Sequence, residues 1–217
     1  MNFDASLRAA LESHLVALRL ADAGTRSDVS AEATGYRRAE GSFVADGFRA
    51  GDTILAAGFS EAGNDGAAIL RAVSDTELTV ERALTPEAAG SPVSIVATLP
   101  AARKFDGQPF VRPADAPWLR VALRPVAGTV AAFGAGGVLR HRGTLLIDLF
   151  EPVADGFGLA RLERLAAGLR GHFRAGGAIL RDGLAVRILG MRRGAVQEAR
   201  DFVSLPLSIE WFCDAAN

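Results

Sequence analysis

The alternation of apolar and polar side chains is most regular between Trp118 and Glu151. It predicts one strand at Trp118–Pro125 and a second strand at Arg140–Glu151. The apolar positions that share one face of these strands are Leu119, Val121 and Leu123 in the first and Leu145, Ile147 and Leu149 in the second. The Gly-rich stretch Ala127–Gly137 lies between them, so the two strands are predicted to form a hairpin with a mobile loop.

Two segments have the apolar spacing of amphipathic helices. Residues 3–20 and Leu159–Phe173 repeat apolar side chains every three or four positions, and Arg161 belongs to the predicted polar face of the second helix. Two further strands are predicted, Leu184–Met191 and a final strand at 200–212. Because Pro206 has no backbone N–H, it favours an edge position or a bulge for that final strand.

Between Ser27 and Leu99 the pattern changes to short β-type runs that are separated by turn signals. These runs are Ala31–Ala39, Thr53–Ala57, Ala67–Val73, Leu78–Ala83 and Val93–Thr98. Short strands at near-regular spacing predict a small barrel or sandwich. The connector that follows, Pro100–Pro117, contains four prolines, which favour an extended path over a helix.

The order of these elements predicts an α+β fold. Its host domain is a four-stranded, mostly antiparallel sheet covered by two helices, and a small all-β barrel or sandwich domain is inserted after the first helix. The predicted host spans residues 1–26 and 100–217, and the insert spans 27–99. The insert has 5 basic and 11 acidic residues, whereas 100–217 has 16 basic and 11 acidic residues. This asymmetry favours two units with different surfaces, although two solvated surfaces that merely differ explain it equally well.

The composition is that of a globular protein. The chain has 217 residues, of which 49% are hydrophobic and 23% charged, and this balance argues against disorder. No apolar run approaches the length of a membrane span, and the N-terminus lacks a signal-peptide pattern. The single cysteine, Cys213, excludes an internal disulfide. These features predict a soluble protein made in a reducing cytoplasm.

No group of residues in the sequence has the spacing of a catalytic or metal site. The histidines at 14, 141 and 172 lie on different predicted elements, which disfavours a shared metal ion. The run Gly134–Gly137 lacks the Lys-Ser/Thr pair of a phosphate-binding loop, and no Gly-x-Ser-x-Gly motif occurs. The sequence therefore predicts a protein that is not an enzyme and has no metal and no cofactor.

The predicted hairpin and the turn after the third strand carry all of the candidate interface residues. These candidates for contacts with another subunit or with a partner protein are Arg120, Arg124, Gly134, Gly136, Gly137, Arg140, Arg142, Arg192 and Arg193. Clustered arginines can bind phosphates or the carboxylates of a neighbouring subunit. An ordinary solvent-facing sheet edge explains them as well, and without interleaved aromatic residues direct DNA recognition is disfavoured.

The segments Pro113–Pro125 and Arg140–Pro152 resemble parts of the tail terminator (gpU-like tail completion) proteins of long-tailed bacteriophages and phage-derived particles. The N-terminal helix, the helix Leu159–Phe173 and the closing strand ending in Ile209-Glu-Trp211 extend this resemblance. The resemblance implies a homo-hexameric ring at the head-proximal end of the virion tail, assembled in the host cytoplasm. It implies that the ring ends polymerisation of the tube and provides the head-joining surface. The nine candidate residues above would then contact another subunit or the tail tube. The implied partners are the major tail tube protein and the head–tail connector (neck) proteins, with DNA only as cargo in the lumen and no membrane.

The insert is a departure from many relatives. Its segment Ser42–Asp52, followed by Gly58-Phe59, resembles a β-module that recurs in bacteriophage virion proteins. Other roles stay open at this point: another head–tail connector, a minor tail protein, or a non-viral binding module that uses the acidic insert. The sequence also leaves open the ring size and the kind of particle, whether infectious phage, defective prophage or gene-transfer particle.

Overall fold

The computed structural model describes residues 3–132 and 137–216. The chain forms two compact units. One, called the split unit below, consists of Met1–Leu18 and Ala102–Asn217, and the other, called the inserted unit, is Arg19–Ala101.

The inserted unit is an antiparallel sheet of seven strands in the order β1-β7-β4-β5-β6-β3-β2. The strands are β1 (Ala21–Arg26), β2 (Val29–Glu32), β3 (Gly35–Arg38), β4 (Thr53–Ala57), β5 (Gly66–Val73), β6 (Glu77–Val80) and β7 (Val93–Thr98). The first half of β5 pairs with β4 and its second half with β6, so this strand joins the two parts of the sheet. The buried core includes Tyr36, Phe43 and Phe48.

Several carboxylates of the inserted unit hold its own turns. The Asp28 carboxylate accepts hydrogen bonds from Arg26, which lower the pKa of Asp28 to about 2. Glu87 accepts the backbone N–H groups of Ser60 and Glu61 at 2.8 and 3.0 Å, and these bonds lower the pKa of Glu87. Part of the negative charge of this unit therefore stabilises its own turns through hydrogen bonds.

The split unit contains the second seven-stranded sheet and both helices. Its elements are α1 (Phe3–Val16), β8 (Ala102–Phe105), β9 (Trp118–Ala132), β10 (Val138–Pro152), α2 (Gly158–His172), β11 (Ala178–Arg181), β12 (Leu184–Arg193), β13 (Gln197–Glu198) and β14 (Phe202–Ala216). The strand order is β11-β12-β14-β10-β9-β8, and β13 pairs with β14 beside this path. All pairs are antiparallel except β8 with β9.

One face of this sheet forms the core of the split unit. Leu145, Ile147 and Leu149 of β10 are fully buried on that face, as is Trp211 of β14. Helix α2 packs on β10 and β14, and α1 packs on β11 and β12. The alternation that the sequence shows in these strands is thus confirmed as the division between a covered and an uncovered face.

The predicted α+β fold class is wrong. The protein is mostly β, with two seven-stranded sheets and two helices, instead of a four-stranded sheet covered by helices. Short strands are one cause, because β8, β11 and β13 have four residues or fewer and give no alternation over several positions. In addition, Ala21–Arg26 is strand β1 although the sequence analysis predicts no strand there.

The edge position expected for the final strand is also wrong. Strand β14 is central, because it pairs with β10 along its whole length and with β12 on its other side. Pro206 lies where the β12 ladder ends at Leu207 and the β13 ladder has not yet begun, and its carbonyl accepts the N–H of Gly194 at 2.9 Å. In an antiparallel ladder the N and O of a residue point to the same side, so the missing N–H of Pro206 faces this gap.

The C-terminal ends of α1 and α2 are joined by a pair of histidines. The rings of His14 and His172 stack with their centroids 4.0 Å apart. Each ring donates from Nε2 to the backbone carbonyl of the other residue, at 3.2 Å for His14 and 2.6 Å for His172. Burial, followed by the charge of His172, lowers the pKa of His14 below 6.5.

This histidine pair predicts a loss of stability on mild acidification. Below pH 6.5 the unfolded chain binds a proton at His14 more readily than the folded protein does. The contribution of neutral His14 to the free energy of unfolding is therefore complete above pH 6.5. It is lost as the pH falls from 6.5 toward the lowered pKa of His14. Melting temperatures between pH 7.5 and 5 should fall less steeply in His14→Gln than in the wild type. An unchanged slope in this variant would contradict the prediction, and His141→Gln is the matched control.

Candidate interaction surface

The face of the split-unit sheet opposite Leu145 carries most of the predicted interface residues. Both helices lie on the Leu145 side, where α2 donates Arg161 to Glu151 and α1 stacks Phe3 on His141. The even-numbered positions of β10 point the other way, and their cross-strand partners on β9 and β14 do the same. We call this side, which carries Arg120, Arg124, Arg140, Arg142 and Arg192, the open face.

Two of these arginines are bound to the aspartate directly opposite them in the ladder. Arg120 of β9 is the register partner of Asp148 on β10, and its Nε and a terminal nitrogen donate to Oδ2 at 2.8 and 2.6 Å. Arg140 of β10 is the register partner of Asp214 on β14 and binds both carboxylate oxygens at 2.7 Å. The second pair lowers the pKa of Asp214, chiefly through the hydrogen bonds from Arg140.

Three more of the predicted arginines also have carboxylate partners. Arg124 contacts Asp106 at 2.8 Å and Arg192 contacts Glu210 at 3.0 Å. Arg193 points to the helix side, where it contacts Glu163 of α2 at 2.6 Å. The structure therefore places Arg193 away from the open face.

The remaining predicted residues divide into two groups. Arg142 is exposed on the open face and adds to the electrostatic lowering of the Asp214 pKa. Gly137 directly precedes β10 and is half-buried. Gly134 and Gly136 lie outside the described residues.

The paired arginines change what the open face can bind. Each guanidinium that is bound to a carboxylate of its own chain has fewer free donors for phosphate, and the charges largely cancel. Such solvent-exposed pairs contribute little to stability, so their main effect is on the charge pattern of the surface. The carboxylates Asp106, Asp148, Glu210 and Asp214 are the partners that the sequence did not single out. The alternation could have placed Asp148 on the face of Arg120, but their pairing requires the hairpin register.

The hairpin is longer than its sequence indicates. Strand β9 continues to Ala132, so the loop predicted from Ala127 is wrong for 127–132. Every residue from Arg124 to Ala132 is exposed, and none from Pro125 onward is charged. Beyond Val121, β9 pairs with β10 and with no other strand of the described residues. One edge of β9 is thus open over 122–132, with a register irregularity opposite Arg140–Arg142.

At the other end of the hairpin, aromatic side chains line a shallow cleft. The Trp118 and Phe150 rings stack with their centroids 3.8 Å apart, and Arg112 lies 5.0 Å from the centroid of Phe202. These residues border a half-open cavity of about 270 Å³ together with Arg200. The cleft mixes apolar rings, cations and Asp201, so its charge does not select one class of ligand.

Within residues 3–132 and 137–216, no cluster of three or more His, Cys, Asp or Glu residues could hold a metal ion. Neither of the helices described is both long and apolar enough to cross a membrane.

Comparisons with known proteins identify the family. A family model described as "Phage tail terminator protein" matches residues 87–211. A search of curated proteins found no match. A solved structure that carries no functional description is 26% identical, with a TM-score of 0.44, and the alignment covers 54% of this chain and 79% of that one. Because the family match spans more than half of the 217 residues, this protein belongs to the phage tail terminator family, a structural kind of phage tail protein.

Proposed function

We propose that this protein caps the head-proximal end of a phage tail tube as a homo-hexameric ring. In that position it ends polymerisation of the major tail tube protein and presents the surface to which the neck proteins join the head. The family match over residues 87–211 is the observation that carries this proposal, because it covers the hairpin, α2 and most of β14. DNA passes the ring as cargo, and assembly takes place in the host cytoplasm.

The surface of the split unit supports a structural role over a catalytic one. A ring needs a rigid scaffold with surfaces that fit a copy of itself, and head-to-tail contacts between subunits close when the rotation allows. The split unit offers an open sheet edge at β9 and an open face whose arginines are mostly paired with carboxylates. A face with balanced charge also binds passing DNA less tightly than free arginines would, because fewer phosphates can be neutralised.

Loss of the gene should produce tails of uncontrolled length. We expect electron microscopy of particles from a strain without this gene to show overlong or irregular tubes and heads without tails, since nothing stops tube growth. Tails of normal length that fail to join heads would indicate a connector instead. Tails of normal length that still join heads would contradict the proposal.

Complementation makes this test specific to the protein. Expression of the wild-type gene in trans should restore both tail length and head joining. A variant with Val111→Lys, at a position that is 91% exposed and outside all strands, is the matched control and should restore both as well.

A further inference from the structure

We propose that the open edge of β9 is the joint between neighbouring subunits, and that it pairs with the edge strand β11 of a second copy of this chain. The inference rests on the proposed ring and names the segments that form it. In this proposal the main contact between subunits is a ladder of backbone hydrogen bonds, and not the arginines that the sequence predicted.

The first observation is the lack of a strand partner along one edge of β9. From 122 to 132 the strand has β10 on one side and no strand of the described chain on the other. A row of free N–H and C=O groups on an extended strand is complementary to another extended strand, which can add to the sheet. The strand is also exposed on both faces here, with Val126 and Val130 exposed by 64% and 55%.

The second observation is the lack of protection on this edge. Monomeric β proteins guard long edges with charged side chains, especially lysine. Residues Pro125–Ala132 contain no charge, in a chain of which 23% is charged. The nearby Arg124 and Arg140 are bound to Asp106 and Asp214, so they do not repel an approaching strand.

The third observation is a matching edge at the opposite end of the same sheet. Strand β11 pairs with β12 only, within the described residues, and its Leu180 is exposed by 76%. Its first three residues, Ala178–Leu180, are uncharged, so the β9 and β11 edges meet without like-charge repulsion. Two unlike edges on one subunit give head-to-tail contacts, which is the geometry that closes into a ring.

The test introduces lysine on each edge of the full-length protein. Val126→Lys with Val130→Lys should raise the concentration at half assembly at least about tenfold, measured by mass photometry and sedimentation. Leu180→Lys should do the same from the other edge. Val111→Lys, at a position that is 91% exposed and outside all strands, is the matched control and should assemble like the wild type.

Mixing the two edge variants distinguishes head-to-tail pairing from symmetric pairing. In the mixture, the intact β9 edge of Leu180→Lys meets the intact β11 edge of the double variant, so heterodimers form and growth stops there. Hydrogen exchange should show protection of the amides of 122–132 in wild-type assemblies and fast exchange in the double variant. Unchanged melting temperatures in both variants separate loss of pairing from loss of folding.

Three results would overturn the inference. They are a wild-type protein that stays monomeric, assembly of the double variant at wild-type concentrations, and dimerisation of Leu180→Lys alone. The proposed capping function is judged separately by the tails of the strain without the gene. If those tails are overlong while the double variant still assembles, the function stands and the β9 joint does not.

Discussion

Glu151→Gln is expected to destabilise the split unit by about 3–5 kcal/mol, because it removes the buried carboxylate charge that Arg161 binds. Glu151 lies near the end of β10 with no exposed surface, and Arg161 of α2 is 5% exposed. A terminal nitrogen of Arg161 donates to Oε2 of Glu151 at 2.7 Å. This pair links helix α2 to the sheet. Urea unfolding followed by tryptophan fluorescence measures the effect, since both tryptophans of the chain, Trp118 and Trp211, lie in the split unit.

The double variant Glu151→Leu with Arg161→Met is the control for this prediction. It removes both charges and replaces them with apolar side chains of similar length, so the desolvation cost disappears together with the attraction. We expect it to be much closer to the wild type in stability than either single variant. A loss below about 1 kcal/mol in Glu151→Gln would show that the pair does not act as a buried charge pair.

The sequence pattern could not reveal this pair. In the helix, Arg161 is adjacent to the apolar stripe and is predicted on the polar face, whereas the structure buries it. The helical period gives the direction of a side chain only relative to its own axis. Whether a border position is buried depends on how the helix is rotated on the sheet, and that rotation depends on β10 and β14.

The hairpin shows a different limit of sequence patterns. The halves of β9 and β10 that lie far from the hairpin loop are predicted well, because one face is buried there and the alternation is strong. From Val126 to Ala132 both faces of β9 are exposed, so selection for alternating side chains is absent and the stretch has the composition of a loop. The same holds for the pairing of Arg120 with Asp148, since the register depends on a turn whose length the pattern does not fix.

The open edge of β9 and the central position of β14 both depend on residues that are far apart in the sequence. Pro206 disfavours a central strand only if its missing N–H faces a neighbour, and it faces the gap between β12 and β13. No local pattern can place that gap, because it depends on where β12 ends, more than ten residues earlier in the chain. Family resemblance was the stronger guide to function, because the residues that carry it are distributed over several elements.

Trp211→Ala is expected to cost about 3–5 kcal/mol of split-unit stability, because it removes the largest fully buried side chain of the protein. Trp211 is the register partner of Gly143 on one side and of Ile188 on the other, so the cavity opens in the middle of the sheet. Circular dichroism in urea measures the loss, and Trp118 fluorescence follows the same unit. Trp211→Phe should cost clearly less, because the ring of phenylalanine fills most of the space.

The absence of a side chain at Gly143 is what admits the Trp211 ring, and this coupling can be measured. A β-carbon at 143 would overlap the Trp211 ring and lie 2.6 Å from the carbonyl oxygen of Arg124. Gly143→Ala should therefore cost about 1–3 kcal/mol in the wild type, as over-packing does. In the Trp211→Ala background it should cost less, because the ring is gone. Some cost should persist, since the Arg124 carbonyl belongs to the backbone of β9 and cannot move freely. Equal costs in both backgrounds would show that Gly143 is required by β9 alone and not by Trp211.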